Sequence, residues 1–197
     1  TGKDYGYVSV NDSTLINSSA LGLTVSFWAK SSNSNNWGGI GGINNDPAGL
    51  VTKRPPSAGM GMYLVTGGAT GSSSPFSLTN DLMAYSSNSA SGSAFAVWDL
   101  TSNGFKIEEW HMYSYTIVNN SNFNLYINGS LVTPKSTYNI PVIKNSGGTK
   151  LYIGTDYISS YNRTLNGTID EVLIYNRTLN DAEIKSIYDD QRIKIGV

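Results

Sequence analysis

Hydrophobic residues along this chain recur mostly at every second position. Leu23-Thr-Val-Ser-Phe-Trp-Ala-Lys30 puts Leu23, Val25, Phe27 and Ala29 on one side and Thr24, Ser26, Trp28 and Lys30 on the other. A period of two with one apolar side is a strand with one buried face. Tyr5–Val10, Leu50–Lys53, Met60–Thr66, Trp110–Val118 and Asn122–Ile127 read the same way, as do Leu151–Gly154 and Ile169–Tyr175. Shorter strands are expected near Leu82–Tyr85 and over Ala94–Trp98. Pro55 and Pro56 break the pattern between two of these runs, since proline cannot donate to a ladder. Asn119-Asn120-Ser121 and Asn128-Gly129 mark two successive hairpin turns; Asn-Gly tolerates the positive φ of a type I′ turn.

Only one stretch changes period. Asn180 can cap a helix, and Glu183 stands three residues later, as a capping box requires. Leu179 and Ile184 fit a hydrophobic staple. Ile184, Ile187 and Tyr188 then form an i, i+3, i+4 stripe. The pattern predicts a helix near 180–190, stopping at Asp189 or Asp190. Ile193-Lys-Ile-Gly-Val197 alternates again and predicts a final strand. The hexapeptide Tyr-Asn-Arg-Thr-Leu-Asn occurs at Tyr161–Asn166 and Tyr175–Asn180, too short to be a solenoid repeat.

Composition narrows the class. The 197 residues suit one β domain spanning 1–197. Charged residues make up 14% and the net charge is −1, so the basic surplus of a phosphate-tracking protein is missing and nucleic acid is not an expected partner. Ser, Thr and Asn number 27, 16 and 21. A surface solvated by hydroxyls and amides fits a secreted or cell-surface location. No run reaches the roughly 18 apolar residues of a membrane span. The chain opens at Thr1 with no apolar leader, as expected of a mature product or of a domain from a longer protein.

The inventory of reactive side chains is small. There is no cysteine and one histidine, His111. Disulfides, thiolate metal sites and multi-histidine sites are excluded. The glutamates are Glu108, Glu109, Glu171 and Glu183. Adjacent residues on a strand face opposite sides, so neither Glu108–Glu109 nor Asp170–Glu171 forms the same-face pair that glycoside hydrolysis needs. The expectation is a non-catalytic protein with a structural His111. Trp28, Trp98 and Trp110 fall in strands and read as core. Trp37 falls in a Ser/Asn/Gly loop, as either an edge lid or a sugar-stacking platform. Asn-x-Ser/Thr sequons occur at Asn11, Asn17, Asn119, Asn128, Asn162, Asn166 and Asn176, several at turns where a glycan would be accessible.

Several phrases together resemble the laminin-G-like, concanavalin A-like jelly roll. They are Tyr7–Val10 followed by Leu23–Lys30, Leu50–Lys53 with Gly61–Leu64, and Glu109-Trp110-His111 leading to Leu125–Gly129. The closing run is the most specific: Leu151–Gly154, Leu165–Val172, Ile174–Arg177 and Leu179–Ile184. The resemblance covers nearly the whole chain, loosely over 67–105. It implies an all-β fold: two antiparallel sheets of about six strands each, packed face to face. It also implies a recognition, adhesion or structural role outside the cell, and one rim calcium ion. Asp4 and Asp170 lie in segments that approach one another in that family, so calcium is assigned to them. The apolar strand that usually precedes the Gly-x-x-Asp opening is missing, which should leave an edge exposed near Tyr5–Val10. The 193–197 strand would close that edge in its own chain, or exchange between copies and propagate an assembly. The reading is a non-catalytic adhesive or structural module whose partners are further copies of itself or cell-surface proteins and glycans. The alternative is a calcium-dependent carbohydrate-binding module.

Overall fold

The computed structural model describes residues 6–12, 22–32, 48–53, 61–66, 81–88, 92–100, 105–106, 108–118, 122–138, 150–158 and 161–197. In chain order the strands are β1 (Val8–Val10), β2 (Leu23–Ser31), β3 (Ala48–Lys53), β4 (Gly61–Thr66), β5 (Asp81–Asn88), β6 (Gly92–Asp99), β7 (His111–Val118), β8 (Asn122–Ile127), β9 (Ser130–Val132), β10 (Ser136–Tyr138), β11 (Leu151–Ile153), β12 (Thr155–Ile158), β13 (Tyr161–Thr164) and β14 (Gly167–Tyr175), followed by the helix α1 (Asp181–Ile195). They form a seven-stranded sheet, β1-β11-β3-β4-β5-β6-β10, a five-stranded sheet, β14-β2-β7-β8-β9, and a separate β12-β13 ribbon. All the pairings are antiparallel. This is the two-sheet sandwich that the family resemblance implies, with sheets of seven and five strands, and with the C-terminal helix that the change of period predicts. The strands that the pattern did not show, β9, β10, β12 and β13, have three or four residues each, too few to display a period.

Leu23, Val25, Phe27 and Ala29 face inward with Tyr113, Tyr115, Ile117, Leu125 and Ile127 from the same sheet. Leu50, Leu82, Ala84, Ala96, Trp98 and Leu151 meet them from the other sheet. Trp98 satisfies its indole N–H by donating to the Val132 carbonyl at 3.0 Å. The Asn128-Gly129 turn has φ 52 and 78, the left-handed pair that the sequence signal requires.

Two features of the outer face and the helix end differ from what the sequence pattern predicts. First, β2 is buried on both faces, not one. Its second face belongs to a separate cluster of Trp28, Met112, Tyr126, Leu179 and Ile184, over which α1 lies. Trp28 stacks on Tyr188 at 5.7 Å and donates its Nε1–H to Gln191 Oε1 at 2.8 Å. The polar residues of this face are also paired. Thr24 donates to the Arg177 carbonyl and accepts from the Leu179 N–H, and the Ser26 and Ser114 hydroxyls share a hydrogen bond. A buried hydroxyl is tolerated when it is bonded in this way.

Second, the helix does not stop at Asp189. It runs to Ile195 and ends at Gly196, whose φ of 85 and N–H bond to the Arg192 carbonyl form a left-handed cap. Ile195 packs into the outer cluster. Residues 193–197 therefore form no strand, and the closure or exchange assigned to such a strand has no basis. The capping box at the other end is as expected: Glu183 N–H donates to Asn180 Oδ1, and Asn180 N–H to Glu183 Oε2.

The edge expected near Tyr5–Val10 is seen in part. β1 borders the seven-stranded sheet among the described residues, and Tyr7, Val8 and Val10 are exposed. Just past β1, Asp12 accepts a hydrogen bond at 2.7 Å from Lys53, whose side chain is buried.

Candidate functional site

At one end of the five-stranded sheet, the turn leading into β7 and the Asn128-Gly129 hairpin stand opposite the last turns of α1. A cleft of about 410 Å³ opens between them, lined by Lys30, Glu108, Glu109, Trp110, His111 and Asn128 with Tyr188 and Val197 from the helical end. Each wall has a local cause. Gly129 is buried, and a Cβ there would lie 2.8 Å from Lys185 Cδ and 3.2 Å from Tyr188 Cβ, so its lack of a side chain lets α1 approach. Trp110 precedes β7 and packs its ring against the outer cluster, with the Lys30 ammonium 5.3 Å from the ring centroid.

His111 sits at the back of the cleft, 8% exposed. Its protonation state follows from its neighbours. The Met112 backbone N–H donates to Asn128 Oδ1 at 3.0 Å, which fixes the orientation of that amide. Asn128 Nδ2 therefore points at His111 Nδ1, 3.0 Å away, and donates to it. Nδ1 must accept, so the ring proton is on Nε2, which donates to the Lys106 carbonyl at 3.0 Å. Burial is the largest influence and holds the His111 pKa below its ordinary value, against the opposing pull of the Lys106 carbonyl and Glu109; the Asn128 Nδ2 donation into Nδ1 also favours the neutral ring. The ring is neutral at pH 7, and neither nitrogen has a free lone pair.

Glu108 and Glu109 lie in a turn, not on a strand, and both line the cleft. The opposite-faces argument thus does not apply to them. Glu109 accepts from Lys106 Nζ at 2.9 Å, and this bond holds its carboxyl below the usual range. It is suited to stay charged, not to deliver a proton.

The other sequence candidates are scattered. Asp170 is exposed on β14, and its Oδ1 accepts the Glu171 N–H at 2.8 Å. This bond spans a β-bulge at which Glu171 has φ 49. No group of three acidic or histidine side chains suited to a metal occurs among the described residues. Asp4, Trp37, Asn17 and Asn119 lie outside the described residues, as does the Asn162 side chain. Asn11 and Asn176 are exposed, Asn166 is half-buried, and the Asn128 amide is committed to the histidine. Lys30 and Tyr188 were not legible as site residues, because nothing local shows that a helix residue 58 positions past Ser130 returns to that hairpin. Trp110, read as core, carried one usable signal: it sits between two glutamates and the only histidine.

Comparison with known proteins agrees with the fold. A model of the concanavalin A-like lectin/glucanases superfamily, of laminin-G type, matches residues 1–185. No curated protein matches the chain. Solved structures that share the fold include the botulinum neurotoxin serotype G binding domain, at 16% identity and TM-score 0.62 over 94% of this chain and 40% of that one. A second is the binding domain of botulinum neurotoxin DC in complex with rat synaptotagmin II, at 18% identity and TM-score 0.62 over 96% and 41%. A third is the same domain in complex with SialylT, at 17% identity and TM-score 0.64 over 96% and 41%. This chain spans about two fifths of the length of those structures. With the family model covering all but the last turns of α1, and the two-sheet architecture agreeing, the chain belongs to the laminin-G-like family of the concanavalin A-like superfamily.

Proposed function

We propose that this chain is a non-catalytic recognition module that works outside the cell or on its surface, and that it takes a saccharide in the cleft beside Trp110. The observation that carries this is the lining. A half-buried indole contributes apolar surface, and an ammonium over its ring, two carboxylates and Tyr188 complete the lining. Ligand sites typically combine an apolar floor with a few fixed polar groups. The non-catalytic reading is supported by His111, whose Nδ1 lone pair is engaged by Asn128 and so is not presented to a substrate, and by Glu109, which is tied to Lys106. Structures that share this architecture include binding domains in complex with rat synaptotagmin II and with SialylT, which fits such a role. A glycan array tests it. The wild-type chain should retain a defined set of glycans, and Trp110→Ala should weaken them at least tenfold. An empty array, or binding unmoved by Trp110→Ala, rejects the proposal.

A rim calcium belongs to the same proposal. Calcium takes six to eight oxygens. Among the described residues Asp170 supplies a single carboxylate, one oxygen of which already accepts a backbone N–H. Calcium there depends on Asp4 and on backbone carbonyls. Added calcium should raise the melting temperature by mass action, and a chelator should reverse the rise; a melting curve indifferent to both removes the ion.

The adhesive or structural reading is favoured by a different observation, the exposed apolar border strand with Tyr7, Val8 and Val10. An edge that no described strand covers can pair with another chain. Concentration-dependent association in size-exclusion runs, abolished by Val8→Lys, would support it.

A further inference from the structure

We propose that the His111–Asn128 contact makes the cleft acid-sensitive, releasing its ligand when His111 takes up a second proton. The conflict between the two N–H groups is independent of ligand; release rests on the saccharide reading above. In the neutral ring, Nδ1 accepts from Asn128 Nδ2. A proton on Nδ1 puts two N–H groups face to face. Asn128 cannot relieve this by flipping its amide, because Oδ1 is held by the Met112 N–H. A flip would present Nδ2 to that donor and leave it unpaired. Protonation must therefore displace either the ring or the turn.

The turn is the element that matters for the cleft. Asn128 has φ 52, a conformation costly to most residues. Its neighbour Gly129 is the surface on which Lys185 and Tyr188 of α1 rest. Both His111 and Asn128 line the cleft, and Tyr188 forms the facing wall. A displaced turn thus moves one wall against the other.

The groups around the ring set the pH range. From the preceding turn, Glu109 faces the imidazole and favours its charge, and Lys106 presents its carbonyl while its ammonium is engaged with Glu109. Glu108 and, from β2, Lys30 share the cleft. The Phe105 and Tyr113 rings approach edge-on at 5.3 and 6.3 Å. Tyr188 is the cleft residue from α1. Burial is the largest influence and favours the neutral ring. A buried neutral histidine gives stability that is full above its unfolded pKa and is lost as pH falls through the lower folded value. The transition should therefore lie below the ordinary histidine range.

The chain has one histidine, so its imidazole NMR signals report this group without ambiguity. The wild-type ring should titrate below pH 6.5, with the Asn128 and Gly129 amide signals moving at the same midpoint. Asn128→Asp is the decisive variant. Aspartate keeps the turn, since Asp-Gly suits type I′, and keeps the acceptor for Met112. Its second oxygen accepts from a protonated Nδ1, so the His111 pKa should rise by at least one unit and the turn signals should no longer shift below pH 6.5. The retained glycan should bind the wild type about tenfold more weakly one unit below the midpoint, and this loss should vanish in Asn128→Asp. His111→Gln, which cannot titrate, should show residual binding that is flat with pH over the same range. Turn signals indifferent to ring protonation, or an unshifted pKa in Asn128→Asp, overturn the switch. A chain that binds no glycan at any pH rejects the saccharide reading and leaves the NMR result to decide the switch.

Discussion

Replacing Trp28 by phenylalanine isolates the contact that docks α1 on the sheet. The indole is fully buried, donates to Gln191 Oε1 at 2.8 Å and stacks on Tyr188. Two costs follow. The Gln191 carbonyl, 6% exposed, loses its partner, which costs about 1–3 kcal/mol. The smaller ring forfeits two or three buried carbons, about 2 kcal/mol at ~0.8 kcal/mol each. The sum is about 3–5 kcal/mol, or roughly 6–20 °C in melting temperature for a chain of this size. Urea titration followed by circular dichroism measures it. Adding Gln191→Leu removes the orphaned carbonyl, and its other bond, to Glu171 Oε2, is to a half-exposed group that water can serve. The double variant should therefore be more stable than the sum of the single changes predicts, by at least about 1 kcal/mol. If Trp28→Phe costs under 1 kcal/mol, or the two changes simply add, the helix does not hold the sheet through this pair.

Two further outcomes test neighbouring features. Gly129→Ala forces a Cβ against Lys185 and Tyr188 at φ +78, and should destabilise by about 2–4 kcal/mol from left-handed strain and overpacking, while Gly6→Ala, with nothing within 4 Å, should leave the urea midpoint nearly unchanged. Glu183 is held down to about 2 from an ordinary 4.5, first by Arg177 and then by the Asn180 N–H. A depressed carboxylate stabilises above its unfolded pKa and ceases to as pH falls through the folded one. The melting-temperature advantage of wild type over Arg177→Met should thus be constant at neutral pH and fade between about pH 4.5 and 2; an advantage that persists at pH 2 contradicts the assignment.

The strands were legible because they alternate strongly, as Leu23 to Ala29 do, and Asn-Gly and Asn-Asp-Ala-Glu specify one hairpin and one cap; their arrangement in two sheets was legible only through the family resemblance. Three things were not legible, for separate reasons. The second buried face of β2 reads as polar, since Thr24 and Ser26 find their partners 153 and 88 residues away. The helical end was mistaken for a strand because Ile193, Ile195 and Val197 alternate, although Ile184, Ile187, Tyr188, Gln191 and Ile195 equally continue a helical stripe. Gly196, as a cap, decides between the two. The cleft was missed because its walls are set by tertiary contact; the adjacency of Glu108 and Glu109 excluded a shared face only on the assumption of a strand. His111 is hydrogen-bonded through both ring nitrogens, but its partner Asn128 was visible only as a turn residue and a sequon.

The cover over Trp28, Met112 and Tyr126 is supplied by α1, the last of the described elements. On a ribosome adding about 5–20 residues per second, some 70 residues separate Tyr126 from the end of α1, so about 3–14 s pass before the helix can dock. During that interval β2 and β7 can pair and bury their inner faces while their outer face still presents tryptophan, methionine and tyrosine to the solvent. β14, the neighbour of β2, also arrives late, making the pairing highly non-local and slow. The nascent sheet is thus most adhesive before it is complete, and folding factors would meet it there, on the surface that the mature protein hides beneath a single helix.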